Sequence, residues 1–347
     1  MIGNKIKKKY IVVFLFSILV IILITILITM STPNNKPFEI MDDIKFYSTL
    51  PDGNLYGLTE KGKVYCCNIN NNRIDVIFEE SDIIYLGGRD RSLIIHRDGS
   101  VYIDEVGGLG GTFIGKVEGA VNGDTSSSHT AIVTDDGKLY VHGYEGSTDW
   151  NKLGTGNKFN LDQFQLIELP QKIIKVDCGR TNTFVLTESG ELFWTGDMSG
   201  KFGYTFAKYD INKQIKDIQS NDTSFFLLDE NGNVDLFCNN VDINGDMPTN
   251  GLEDIVSFSV SIYDLLAINN AGVLYYSGKD IYKLRVYNGN YISPTKISNI
   301  SDAREVYCSS MHAYVVKDDK IICVPLDREN RIKQFIHKYN IFAPHVK

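Results

Sequence analysis

Two histidines, six cysteines and several carboxylate pairs are the side chains of this sequence best suited to chemistry. His129 lies in SHTAIV and His312 in MHAYVV, two segments of the same pattern. An imidazole repeated at one place in a repeat is expected to bond nearby backbone and lock a turn, not to act as a general base. Cys178 and Cys308 match each other in the same way and are expected to fill strands. Cys66, Cys67, Cys238 and Cys323 follow no ligand or disulfide spacing, so neither a disulfide framework nor a metal is expected. Asp135-Asp136 and Asp318-Asp319 stand where a chain turns, and aspartate favours that backbone geometry. No catalytic residue and no cofactor is therefore expected.

Two segments superficially resemble calcium loops: Asp229, Asn231, Asn233 and Asp235 in DENGNVD, and Asp242, Asn244 and Asp246 in DINGD. Neither has the glycine at the sixth position followed by a distal bidentate glutamate that wraps a calcium ion. No metal site is assigned. The segment from His142 to Phe164 is different, because it places Tyr144, Trp150 and Phe159 among polar residues. Aromatic side chains on a loop supply binding hot spots, and these three are the candidate binding residues.

The elements that must position these residues are set by an internal repeat. Lys61-Gly62, Asp98-Gly99, Asp136-Gly137, Ser189-Gly190, Asn231-Gly232, Ala271-Gly272 and Asp318-Asp319 each precede a short run of alternating apolar residues. They recur about every 40 residues, the length of one propeller blade. Each reads as a tight hairpin whose two central residues tolerate positive φ. Upstream of each turn lies a second shared segment, clearest in IIKVDCGRTNTFVLTESG from Ile173 to Gly190. Short strand, small-residue turn, strand, hairpin and strand thus repeat, with room for a fourth strand in the variable stretch that follows. One such sheet cannot bury both faces alone. The expected fold is all-β: a seven-bladed propeller of four-stranded antiparallel blades over residues 42–347, with repeat turns near 62, 99, 137, 190, 232, 272 and 319. The tail after Val324, including RIKQFIHKYN, is expected to supply or cover a strand beside the first blade.

The best copy of the unit carries His129-Thr130-Ala131, Asp136-Gly137-Lys138-Leu139-Tyr140, Gly143, Asn151-Lys152-Leu153-Gly154, Pro170 and Val176-Asp177-Cys178-Gly179. A second has Trp194-Thr195-Gly196 and Lys201-Phe202-Gly203. These units resemble the repeats of the regulator of chromosome condensation family, in a membrane-anchored, bacterial-type form. The resemblance implies a seven-bladed propeller and leaves function open. Bacterial relatives of this kind are often extracellular binding modules, including propellers that inhibit β-lactamases.

Residues Ile11 to Met30 contain no charged side chain, and as a helix they would cross the hydrocarbon layer. Lys5, Lys7, Lys8 and Lys9 precede this run. Positive charge stays inside, so residues 1–10 are expected to be a cytoplasmic tail, 11–30 a transmembrane helix, 31–41 a linker, and the propeller extracytoplasmic. The whole chain carries a formal net charge of −8, and the exported part lacks the four tail lysines. That balance, with the outward orientation, excludes nucleic acid as a partner and the nuclear nucleotide-exchange activity of the founding family member. The expected function is a binding or scaffold propeller that engages a protein or an envelope polymer. The alternatives are an envelope carbohydrate lyase or hydrolase working in the propeller funnel, and an enzyme inhibitor.

Overall fold

The computed structural model describes residues 38–39, 44–68, 73–105, 108–145, 151–157, 159–198, 201–221, 224–238, 249–261, 264–279, 291–297, 300–309, 312–317 and 320–325. The expected tail, transmembrane helix and C-terminal segment lie outside them, as do Trp150, Asp242 to Asp246 and Asp318-Asp319. Among the described residues no helix is long and apolar enough to cross a membrane.

Alternation of apolar and polar residues between turn signals forms short antiparallel strands, and these pair in seven separate sheets. The first blade holds Ile44–Thr49, Leu55–Thr59, Val64–Asn68 and Arg73–Phe78. The second holds Ile83–Gly87, Ser92–His96, Ser100–Asp104 and Thr112–Lys116. The third holds Ala120–Thr125, His129–Thr134, Leu139–Gly143 and Leu161–Ile167, and the fourth Ile173–Cys178, Asn182–Thr187, Leu192–Met198 and Lys201–Lys208. The fifth has three described strands, Ile215–Ser220, Ser224–Asp229 and Val234–Cys238. The sixth holds Ile255–Val260, Asp264–Asn269, Leu274–Lys279 and Tyr291–Lys296. In the seventh, Glu305–Cys308, His312–Val316 and Lys320–Pro325 are followed by a strand from the other end of the domain, Phe38–Glu39.

That last pairing closes the ring. Phe38 stands opposite Ile321 and Glu39 opposite Lys320. The propeller thus begins before Asp42, inside the stretch expected to be linker. The fourth strand of the seventh blade comes from the N-terminal side of the domain, and the part expected of the tail after Val324 lies outside the described residues. Tyr314 Oη and Ser309 Oγ add donors to the Gly53 carbonyl of the first blade, at 2.7 and 3.3 Å.

The core is divided among the junctions. Each of the seven apolar clusters bridges two neighbouring blades, as where Val133 and Val141 of the third meet Val176 and Val185 of the fourth, or Leu55 and Cys67 of the first meet Tyr314 and Ile321 of the seventh. A fully buried Leu, Ile or Phe contributes about 1.5–3 kcal/mol, so every junction is stabilised by several such side chains. The hairpin turns are tighter in their demands than expected. Gly62, Gly99, Gly137, Gly190, Gly232 and Gly272 all have φ between 71° and 86°, whereas the residue before each has negative φ. Gly62 N–H bonds Thr59 carbonyl at 3.0 Å, so the turn is a regular bend followed by one left-handed glycine. A Cβ at Gly62 would lie 1.9 Å from the Ser81 carbonyl oxygen of the next blade, so glycine also permits the close approach of two blades.

A chain that starts at Asp42 lacks the closing strand and leaves the Lys320–Pro325 edge unpaired. Its thermal transition should fall by at least about 5 °C relative to the full-length chain, measured by circular dichroism in the same detergent. Equal melting of the two would show that closure does not depend on Phe38–Glu39.

Candidate functional site

The innermost strand of each blade lines the axis, and its side chains stitch neighbouring blades together. Asp124 Oδ2 accepts the Cys178 N–H at 2.7 Å, and Asp177 Oδ2 accepts the Ser220 N–H at 3.0 Å. Gln219 Oε1 accepts the Val260 N–H at 3.2 Å, and Ser259 Oγ accepts the Cys308 N–H at 2.9 Å. Four successive junctions therefore use one device, a polar side chain in the innermost strand that accepts an amide of the next innermost strand. The remaining junctions use other means: Thr49 Oγ1 donates to the Cys308 carbonyl at 2.9 Å, Phe46 stacks on Tyr85 at 5.5 Å, and Tyr85 Oη donates to the Gly123 carbonyl at 2.7 Å.

Cys178 and Cys308 take part in this ring, with Sγ atoms 3.3 and 3.4 Å from the Asp124 and Ser259 carbonyl oxygens. Burial, reinforced by Asp124 and Asp177, holds the Cys178 thiol well above its ordinary pKa, and burial does the same for Cys308. Burial also raises Cys67, and it pushes Cys66 and Cys323 up to about 12. A protonated thiol is a poor nucleophile. All five are free thiols.

His129 is fully buried, and its bonds fix its tautomer. Nε2 lies 2.7 Å from Thr183 Oγ1, which donates its own proton to the Lys152 carbonyl at 2.7 Å, so Nε2 carries the hydrogen. Nδ1 then accepts from Ser126 Oγ at 2.7 Å. Burial, helped by Lys152, holds the imidazole well below its usual pKa and so neutral. The ring joins the third blade, the fourth blade and the Asn151 to Gly154 segment. That segment is anchored further by Glu145, which accepts the Lys152 and Leu153 amides at 2.9 and 3.0 Å, and by Thr195 Oγ1, which donates to the Asn151 carbonyl at 2.8 Å. His129 is thus structural, as the repeat argument expects, but its ring bonds the hydroxyls of Ser126 and Thr183 and not the nearby backbone.

The other flagged residues are equally occupied. Asp229 accepts the Asn231 and Asn233 amides at 2.9 Å each, which makes it the cap of a blade hairpin. Lys138 and then Thr134 hold the Asp136 carboxyl down at about 2 in the corresponding turn. Among the described residues no cluster of His, Cys, Asp and Glu could hold a metal ion.

Along the axis lies a cavity of about 390 Å³ lined by residues of all seven blades. Its charged groups are concentrated on one side: Arg89, Asp90, Asp124, Lys175 and Asp177 come from the second, third and fourth blades, facing Ser, Asn and Tyr residues from the others. Arg89 reaches across the lumen from the second blade, with Nη1 3.4 Å from Ser220 Oγ of the fifth and Nε 3.5 Å from Asp90 Oδ1. Lys175 pairs with Asp217: burial pulls the lysine pKa down, but the charge and hydrogen bond of Asp217, with the charges of Asp177 and Asp124, together raise it. Asp124 opens partly to the channel but sits deep in the ring. Burial first, and the neighbouring Asp177 charge second, push its pKa up to about 7, against the pull of the Cys178 amide and Arg89.

The cavity includes Arg89, Asn221, Ser261 and Ser309, which belong to the loops between the first and second strands, so its mouth is on that face. The insertion after Gly143 leaves from the same face, because Gly143 pairs with His129 at the start of the second strand. Tyr144 N–H donates to the Ser128 carbonyl at 2.8 Å, and Glu145 N–H donates to Asn160 Oδ1 at 3.2 Å, bringing the two ends of the insertion together. Tyr144 and Phe159 are 56% and 73% exposed there. The sequence singled out these two but not the axial polar ring. Its signal was a polar residue, Asp124, Asp177, Gln219 or Ser259, at one repeated place, the second-to-last position of the innermost strand.

Comparison with known proteins agrees with this architecture. The X-linked retinitis pigmentosa GTPase regulator of Homo sapiens is 27% identical over 143 residues, covering 38% of this chain and 14% of that protein. An RCC1 repeat-containing protein of Dictyostelium discoideum is 28% identical over 130 residues, covering 31% of this chain and 26% of that protein. The chain thus matches only a small part of the length of these homologues, which share the regulator of chromosome condensation repeat. The crystal structure of human WBSCR16 superposes with a TM-score of 0.58 at 13% identity, over 82% of this chain and 87% of that one. No protein-family model matches the chain.

Titration of Asp124 should appear in stability. Its folded pKa lies above the unfolded value, so the folded state binds the extra proton between about pH 4 and 7 and loses stability as pH rises through that window. Asp124→Asn should flatten this dependence and raise stability near pH 8, read from urea midpoints at several pH values. An unchanged slope would contradict the assignment.

Proposed function

We propose that this chain, a propeller with homologues among the regulator of chromosome condensation repeat proteins, is a single-pass membrane protein whose extracytoplasmic propeller binds a protein partner. It engages that partner through the face bearing the channel mouth, Tyr144 and Phe159. The observation that carries this reading is a division of labour. His129, Cys178, Asp229 and the inner-strand carboxylates are engaged in holding turns and blades, while Tyr144 and Phe159 are exposed on the face that bears the polar mouth. Support for the anchor comes from the uncharged Ile11 to Met30 run and its preceding lysines. The human relative is a GTPase regulator, and regulation by binding is the part of that role carried over.

A second reading rests on the two carboxylates that converge on the axis, Asp124 and Asp177. In it, the funnel cleaves envelope carbohydrate by acid-base chemistry. The engagement of each carboxylate by an amide of the next blade favours the binding reading.

Alkaline carbonate should leave the chain in the membrane pellet, and protease added to intact cells should digest it. A photo-crosslinker in place of Tyr144 or Phe159 should give an adduct with one discrete protein, whereas one at Asp98, in a hairpin of the opposite face, should not. Extraction by alkali would remove the anchor, and adducts from Asp98 alone would reverse the binding face. Shortening of envelope glycans that disappears in Asp177→Asn would favour the funnel enzyme.

A further inference from the structure

The channel mouth has a feature that the binding reading does not require. Its wall is a set of carboxylates, and a guanidinium of the same chain lies across it. Asp90, Asp124 and Asp177 line the cavity, and Asp217 stands behind Lys175. Against these four carboxylates are two cations, Arg89 and Lys175, and Lys175 is committed to Asp217. With Asp124 ionised, the region keeps a net negative charge with Arg89 in place, inside a concave, partly desolvated site where charge interactions are stronger than at a flat surface.

Arg89 shows what chemistry the wall accepts. It extends from a first-to-second-strand loop, its own amide bonded to the Thr125 carbonyl at 3.2 Å, and its guanidinium reaches Ser220, whose Oγ and N–H are both bonded to Asp177. Its charge also acts on Asp124. The guanidinium, with Nε and Nη2 buried, thus contacts an acid-bearing hydrogen-bond array on the wall of the cavity. About 390 Å³ remains around it, room for another long basic side chain.

We propose that the channel mouth is a socket for a basic side chain, arginine or lysine, presented by the protein partner, and that Arg89 occupies this socket until the partner displaces it. The proposal rests on the reading of this face as the binding face and names what the face recognises. Arg89 lowers the apparent affinity by competing within the molecule, as a partly populated competent state does. The groups facing Asp124 are Asp177 and Cys178 of the fourth blade and Arg89 and Tyr85 of the second, with Lys175 and Asp217 beyond them. Protonation of Asp124 removes one carboxylate charge from the wall, so acidification weakens the socket.

The test uses the full-length chain in nanodiscs and a fluorescein-labelled Gly-Ser-Arg-Ser-Gly peptide, followed by fluorescence polarisation, with the Gly-Ser-Gln-Ser-Gly peptide as control. The arginine peptide should bind and the glutamine peptide should not. Arg89→Ala should tighten binding roughly tenfold. Asp177→Asn should weaken it by a similar factor, and Glu79→Gln with Glu80→Gln, on the outer surface, should leave it unchanged. Binding to the native chain should be weaker at pH 5.5 than at pH 8. Arg89→Gln provides the same reading if Arg89→Ala melts early. Weaker or unchanged binding in both Arg89 variants, or equal loss in the outer-surface variant, would overturn the socket. A crosslinked partner whose binding ignores Arg89 and Asp177 would also overturn it while leaving the binding face intact.

Discussion

An innermost propeller strand is an edge, and its amides on the channel side have no ladder partner within their own blade. Backbone N–H groups in that position need an acceptor. In four consecutive junctions the acceptor is a side chain of the preceding blade: Asp124 for Cys178, Asp177 for Ser220, Gln219 for Val260 and Ser259 for Cys308. This contact fixes the spacing and rotation of one blade against the next, and the apolar clusters then fill the wedge behind it. The Phe38–Glu39 strand finishes the circle by pairing the last blade with the chain that enters the first.

The same constraint places charge on the axis. Two of the four acceptors are aspartates in adjacent blades; burial, and then the charge of Asp177, raise Asp124 toward neutrality, and Arg89 and Lys175 stand by as counter-charges. A structural device thus produces an electrostatically distinct mouth. Tyr144 and Phe159 emerge on that face because the insertion that carries them starts at Gly143, and His129, Glu145 and Thr195 fix its root. A rigid base under exposed aromatics limits the ordering that binding must impose.

Much of the fold was legible because its determinants are local. The recurring glycine turns gave the blade count, since positive φ at Gly62 and its counterparts is a requirement of single residues. His129, Cys178 and Asp229 were read as structural from their repetition, and their bonds bear this out. The closing strand was not legible: two residues, Phe38–Glu39, carry no periodicity, and their partner lies at the far end of the sequence. The axial ring was visible only as a polar residue at the second-to-last place of four innermost strands that carry other polar residues as well. Its meaning depends on the neighbouring blade, which no single repeat contains. Arg89 falls outside the repeat pattern altogether, and only the ring geometry brings it to Ser220 of the fifth blade.

The inter-blade amides should be the last part of the molecule to open. Native-state hydrogen exchange of the full-length chain tests this directly, read at Cys178, Ser220, Val260 and Cys308. The four amides should exchange together and only through global unfolding, more slowly than amides of the outer strands. Exchange of these amides at separate, faster rates, one blade at a time, would contradict the claim that the axial ring holds the propeller as a unit.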